Sequence, residues 1–232
     1  MNIVFLIVAA TFILFMFIGY KRGLFRSVAS TIAIVLAVFL TSAIYPAVNR
    51  ALCDHTRLDD TIKEMIIEKF DLKVEEVDLP KSVQMEKLDE MNIPESVKEL
   101  IIENSNKTTY AEAGVNGFFD FAAQYLTNMV MKGIAYVLTF FVIMLFLSIG
   151  IALSNIATGI PIVNGINKLG GALFGMAQAF LAVWIFFVLI TMMSAFDWGS
   201  FLMKSVESSS LLTWIYEKDI FLKIIVDILK IV

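Results

Sequence analysis

The distribution of carboxylates constrains this chain more than any other feature of its sequence. All 22 aspartates and glutamates lie in two windows, Asp54 to Asp120 and Asp197 to Asp227. The first 53 residues and the stretch from Phe121 to Phe196 contain none, and long apolar runs dominate both. Because a carboxylate inside hydrocarbon is costly and finds no water there, we expect the acid-free regions to lie in a bilayer and the acidic regions in water.

The acid-free regions contain four apolar runs, each near the ~20 residues that cross about 30 Å of hydrocarbon as a helix. Their hydrophobicity is continuous, which argues against strands, since lipid cannot satisfy an open sheet edge. The first run lacks the features of a cleaved secretory signal. We therefore predict an all-α membrane protein with four transmembrane helices in two hairpins, over Asn2 to Gly19, Leu24 to Val48 (ending near Pro46), Gly133 to Leu153 and Ala172 to Met193.

The charge windows predict four segments. Residues 1–49 form the first hairpin, 50–128 an acidic, mainly helical extracytoplasmic insert, 129–193 the second hairpin, and 194–232 an amphipathic tail. In the tail, a helix from Leu211 to Leu229 has the pattern of a segment lying in the membrane interface. In the insert, helices are predicted over Asp60 to Phe70, capped by Asp59 or Asp60, then from Pro94 and after Gly117. Their apolar faces either pack on each other and on the bilayer surface or bind a protein partner.

Short basic loops indicate orientation, because Lys and Arg are retained on the cytoplasmic side. The first hairpin loop carries Lys21, Arg22 and Arg26, and the loop between the third and fourth runs carries Lys168. Both loops are predicted to be cytoplasmic, with the amino terminus, the insert and the tail outside.

Small residues recur every four positions in two runs and predict ridges for close helix packing. In the fourth run they are Gly171, Gly175 and Ala179, and in the second Ala29, Ala33 and Ala37. The connector 154–169 is rich in glycine, proline and asparagine, which serve either as caps and turns or, in an interrupted helix, as a solute site. Arg22 and Arg26 either orient the hairpin or hold a phosphate headgroup or an acidic partner.

Several function classes are disfavoured. The single cysteine, Cys53, and the lone histidine do not form metal-site spacings, and no nucleophile–base pair can be assembled, so we expect no enzyme, no cofactor and no metal. Between Arg50 and Asn128, 17 acids outnumber 9 bases, which argues against a nucleic-acid partner. No acid or histidine lies within a predicted span, and such groups usually carry proton or ion coupling.

Two motifs resemble a known family. Gly19-Tyr20-Lys21-Arg22-Gly23-Leu24-Phe25-Arg26 resembles the G-x-x-R-G-l hairpin that opens the colicin V production protein (CvpA) family. The segment Ile160 to Gly175 resembles its second signature, an asparagine before a Gly-Gly-Ala-x-x-Gly helix start, and Ser205 to Tyr216 resembles its serine-bearing tail. The residues carrying the signatures and the predicted packing are Gly19, Arg22, Gly23, Arg26, Pro161, Asn164, Asn167, Gly170, Gly171 and Gly175.

The resemblance implies a multi-pass protein of the bacterial inner membrane, in a family whose founding member is required for colicin V production or export. It brings no catalytic residues, and the large insert departs from the shorter family members. We therefore expect a protein that supports toxin production, secretion or envelope homeostasis through contacts with the bilayer, with an envelope or secretion protein at residues 50–128, or with copies of itself. The alternative is a small oligomeric channel or transporter.

Overall fold

The computed structural model describes residues 2–72, 79–153 and 165–222, apart from the side chains of 151–153. This part of the chain is helical and contains no strand. Its helices are α1 (Ile3–Arg22), α2 (Leu24–His55), α3 (Leu58–Phe70), α4 (Lys81–Glu90), α5 (Glu95–Asn104), α6 (Lys107–Ala113), α7 (Phe118–Leu153), α8 (Gly165–Met192), α9 (Asp197–Glu207) and α10 (Ser210–Glu217).

Four of these helices, α1, α2, α7 and α8, are long and apolar enough to cross a membrane, as the sequence predicted. Their surfaces carry large apolar side chains that nothing in the described chain covers, among them Phe39 (65% exposed) and Phe146 (69% exposed). Water would make such contiguous exposure unfavourable, whereas lipid tails solvate it. These helices therefore present a lipid-facing surface.

The chain divides into two compact units. Unit 1 comprises Met1–Val48, Ala135–Phe187 and Ser205–Lys218. Aromatic rings bring its helices together: Phe12 and Phe180 meet edge to face at 4.8 Å between centroids, and Phe187 and Tyr216 at 5.7 Å. The Trp184 indole N–H donates to the Ile215 carbonyl at 3.2 Å, which ties α10 to α8.

Unit 2 comprises Asn49–Ile134, Val188–Lys204 and Asp219–Val232. Its core contains the apolar faces of α3, α4, α5 and the first half of α7, with the fully buried side chains Ile66, Leu88, Ile101, Phe118, Phe121 and Leu126. Two ion pairs lie at its edge, Lys63–Asp120 at 2.7 Å and Lys69–Asp197 at 2.6 Å. The helices of the acidic region thus pack on each other.

Several helix boundaries were predicted correctly. Helix α5 begins after Pro94 and buries Val97, Leu100 and Ile101, and α7 begins directly after Gly117. The short helices α4 and α6 were not predicted. Their sequences carry too few apolar residues in phase to give a helical stripe.

Three local predictions were wrong. Pro46 does not end the second helix but lies inside α2, which continues to His55, because the following residues hold no further helix breaker. Asp59 and Asp60 do not cap α3; Arg57 precedes it, and the two acids lie in its first turn, where the positive end of the helix favours them. The tail is not one helix from Leu211, since α10 ends at Glu217.

Asp219 starts a new helical turn after that break. One of its carboxyl oxygens accepts from the backbone N–H groups of Phe221 (2.9 Å) and Leu222 (3.1 Å), as an amino-terminal cap does. Its other oxygen is buried without a partner in the described residues. Burial raises the pKa of the Asp219 carboxyl to about 7, although the two N–H groups act in the opposite direction. Residues 223–229 of the predicted tail helix lie outside the described residues.

Candidate functional site

The turn between α1 and α2 consists of a single residue, Gly23. Its backbone has φ 79° and ψ 171°, a region that only glycine occupies without strain. Helical hydrogen bonding continues on both sides, from the Gly23 N–H to the Gly19 carbonyl at 2.9 Å and from the Ser27 N–H to the Gly23 carbonyl at 3.1 Å. The chain therefore reverses between two membrane helices with little unsatisfied backbone.

Four glycines bring the backbone of this hairpin against α8. We call Gly19, Gly23, Gly171 and Gly175 the glycine contact. A Cβ atom on Gly19 would collide with the Gly171 carbonyl, and one on Gly171 would collide with the Gly19 carbonyl and lie 2.8 Å from the Gly23 Cα. A Cβ atom on Gly175 would collide with the Phe15 carbonyl.

The approach at the glycine contact is closer than any residue with a side chain allows. At Gly19, Gly171 and Gly175 a glycine hydrogen takes the place of Cβ and points at a backbone carbonyl oxygen, the arrangement of a weak Cα–H···O bond. In lipid, where apolar burial does not drive helices together, such close backbone packing is a main source of association.

Asn167 adds a polar bond at the same place. Its side-chain oxygen accepts from the Leu24 N–H at 2.9 Å. Leu24 is the first residue of α2, so its N–H has no partner within its own helix. Asn167 therefore acts as an amino-terminal cap supplied by another helix. Position 23 requires glycine for a second reason besides its backbone conformation, because a Cβ there would lie 2.6 Å from the Asn167 amide nitrogen.

Gln178 makes a second polar contact with α2, about three turns after Asn167 along α8. Its amide nitrogen donates to the Ser27 carbonyl at 2.7 Å and to the Thr31 hydroxyl at 3.1 Å. The sequence analysis missed this residue. A signal was present, because Gln178 is a polar residue within an apolar run and follows Gly171 and Gly175 on one face of the helix.

The basic residues of the two short loops gather at this end of unit 1. The Lys168 ammonium lies over the Tyr20 ring at 5.7 Å, and the Lys21 ammonium lies over the Phe17 ring at 4.3 Å. Arg22 and Arg26 are exposed beside the turn. Their predicted role in holding a phosphate or an acidic partner stays a prediction.

The structure brings six of the ten predicted residues together: Gly19, Gly23, Asn167, Gly170, Gly171 and Gly175. Gly170 packs against Leu24, whose Cδ1 would lie 3.0 Å from an added Cβ. Pro161 and Asn164 lie outside the described residues. In the second helix Ala33 and Ala37 are buried and Ala29 is partly exposed.

The chemistry of this site is that of packing and hydrogen bonding. Backbone carbonyls, the Asn167 and Gln178 amides and the Thr31 hydroxyl form it, and none of these is an acid or base near neutral pH. In the described residues, no group of three or more His, Cys, Asp or Glu side chains could hold a metal ion.

The sequence model of the colicin V production protein family matches residues 4–68 and 110–219. The chain belongs to this family. The match includes both elements of the glycine contact and the tail helices α9 and α10, and confirms the resemblance of the two motifs. The unmatched interval, 69–109, contains α4 and α5. Neither the search of curated proteins nor the search of solved structures found a match.

Proposed function

We propose that this chain supports the production or secretion of a colicin V-like toxin, or the maintenance of the envelope, as a non-enzymatic protein of the bacterial inner membrane. The family is associated with colicin V production, and the chain carries four membrane-capable helices. The action we propose is contact with proteins or lipids.

The observation that carries this proposal is the glycine contact. The signature turn at Gly23 and the signature segment of α8 meet through backbone atoms and through Asn167, which lies 143 residues after Leu24. Such a contact fixes the geometry of a scaffold and supplies no reacting group. Among the described residues, the surfaces exposed to other molecules include the lipid-facing spans and apolar residues of α4 and α9, such as Met85, Trp198 and Phe201.

In the proposed arrangement, the loops at Gly23 and Lys168 face the cytoplasm, and the acidic helices face the other side, where an envelope partner would bind them. The interval 69–109 is the segment on which partner choice would differ from that of other family members, since the family match does not include it.

Complementation tests this function. A strain lacking its own family member and carrying a colicin V operon would express this chain, and the toxin released into the medium would be measured. We expect release to be restored by the unaltered chain and by Gly150→Leu, since a Cβ at Gly150 meets nothing within 4 Å. We expect Gly171→Leu to fail, with the membrane-inserted amount of each variant measured alongside.

The same strain tests the mode of action. A photo-crosslinking amino acid at Met85 or Phe201, both exposed, should capture a discrete envelope protein or a lipid. Solute flux through the purified chain in liposomes that is abolished by Gly171→Leu would instead favour a channel and overturn the proposal of a contact scaffold.

A further inference from the structure

A polar cleft on α7 lies apart from the glycine contact. We call it the Lys132 cleft. It is lined by the polar side chains of Gln124, Tyr125, Asn128 and Lys132, with Ala113, Phe121 and Met129 as apolar walls. Gln124, Asn128 and Lys132 follow each other at four-residue intervals, so they form one stripe along the helix. All of these residues belong to unit 2.

Two groups in this cleft lack the partners that their chemistry requires. The Tyr125 hydroxyl is buried and has no hydrogen-bond partner in the described part of the chain. The partly buried Lys132 makes no hydrogen bond or ion pair with any described residue. A buried hydroxyl is costly when it has no hydrogen-bond partner, and the Lys132 side chain lines the same cleft.

The remaining side chains favour an anionic oxygen as the occupant. The Gln124 amide nitrogen donates to the Asn128 side-chain oxygen at 3.2 Å, which leaves the Asn128 NH2 group to donate elsewhere. The cleft then offers donors from Lys132, Asn128 and Tyr125. Its free volume is about 20 Å³, enough for one oxygen-sized group to enter among them.

The position of Lys132 along the helix identifies the source of that oxygen. Directly after it, Gly133 to Leu153 forms an uncharged apolar stretch of about 30 Å at 1.5 Å per residue, the thickness of the hydrocarbon layer. Lys132 therefore lies at the depth of the lipid phosphates, and its side chain leans back toward Asn128 and Tyr125.

We propose that the Lys132 cleft binds the phosphodiester of a phospholipid headgroup. The Lys132 ammonium pairs with the phosphate, and one phosphate oxygen enters the cleft, where it accepts from Asn128 and Tyr125.

Native mass spectrometry of the full chain in mild detergent tests this site, with phosphatidylglycerol and phosphatidylethanolamine as probes. We expect Lys132→Met to weaken the tightest lipid-binding step about tenfold, and Tyr125→Phe to weaken it about threefold, because hydrogen bonds to charged groups are among the stronger ones. Lys168→Met removes a cation beside another span and is the matched control, expected to bind as the unaltered chain does.

Competition with inorganic phosphate separates the two sources of the anion. Retention of lipid in 10-fold molar excess phosphate supports a headgroup site, whereas displacement would overturn the assignment to lipid. Equal lipid binding by Lys132→Met, Tyr125→Phe and the unaltered chain would overturn the site itself. Circular dichroism checks that the variants fold. None of these results depends on toxin release, so the site and the proposed function can fail separately.

Discussion

At the scale of single residues, Gly171 has the least room of any position in the glycine contact. Its Cβ site touches the backbone of both Gly19 and Gly23. Backbone atoms cannot rotate away as a side-chain end can, so one added methyl group must push the helices apart. Gly150, in α7, is the opposite case, since an added Cβ there meets only open space.

We therefore predict that Gly171→Ala lowers the stability of the chain by about 1–3 kcal/mol, the usual cost of overpacking. Thermal unfolding in detergent should show a midpoint lower by roughly 3–10 °C. Gly150→Ala is expected to leave the midpoint unchanged or slightly higher, because alanine favours a helix over glycine. A midpoint for Gly171→Ala equal to that of the unaltered chain would contradict the close contact.

Asn167 offers a second test at this scale. Asn167→Ala removes the acceptor for the Leu24 N–H and should cost about 1 kcal/mol, as other amino-terminal caps do. Asn167→Asp keeps an acceptor at the same place and adds a charge that the positive helix end favours, so it should recover most of that loss. Denaturant unfolding would compare the three chains, and equal loss in both variants would refute capping.

The sequence located these residues but not their contacts. The motif around Gly23 and the Gly170-Gly171 segment were recognisable as two separate signatures, although α8 begins at Gly165 and the segment lies inside it rather than at its predicted start. Their meeting through Asn167 and Leu24 depends on the register of two helices far apart in sequence, and periodicity within either helix does not encode that register. Gln178 was missed for the same reason, because its partners lie in α2.

At the scale of elements, strong apolar patterns were predicted well and weak ones were not. The spans and α5 carry continuous or in-phase apolar residues, and both were predicted. Helix α4 buries mainly Gln84 and Leu88, too few residues to mark a face. The prediction of one continuous tail helix was wrong because the apolar spacing continues past Lys218, whereas the buried Asp219 starts a new helical turn there.

Asp219 leads to a prediction of pH dependence. Its pKa is raised from 3.8 to about 7 in the folded chain, so the folded state binds the additional proton between these values. The contribution of the Asp219 carboxyl to the free energy of unfolding is therefore fully present below about pH 4. It falls as pH rises and is lost above about pH 7.

Asp219→Asn keeps a capping oxygen without the ionisation. Compared with the unaltered chain, it should be more stable at pH 8, with a thermal midpoint higher by a few degrees, and nearly equal at pH 4. Unfolding followed by circular dichroism at the two pH values measures this difference. The reverse order, with the variant gaining stability only in acid, would show that the buried carboxyl is not the titrating group.

At the scale of the whole molecule, the prediction that matters most is sidedness. The cations of the two short loops lie at one end of unit 1, and retention of such cations on the cytoplasmic side predicts the orientation. Cys53, partly exposed in the last turn of α2, follows that span and is expected on the other side.

A membrane-impermeant maleimide should label Cys53 in spheroplasts without lysis. In a Cys53→Ala background, Lys21→Cys places the thiol at the exposed turn and should react only after lysis. If intact spheroplasts label the Lys21→Cys variant but not Cys53 of the unaltered chain, the assigned orientation is reversed. Gel-shift detection of the modified chain gives the readout in both cases.

The bond between Asn167 and Leu24 also has a consequence for the order of events during synthesis. The two residues are 143 positions apart, so at about 5–20 residues per second the ribosome makes the acceptor roughly 7–30 s after the donor. The first hairpin therefore enters the bilayer with the Leu24 N–H still bound to water at the headgroup level. Assembly is sequential: the helices insert first, and the newly made α8 then displaces that water when it docks.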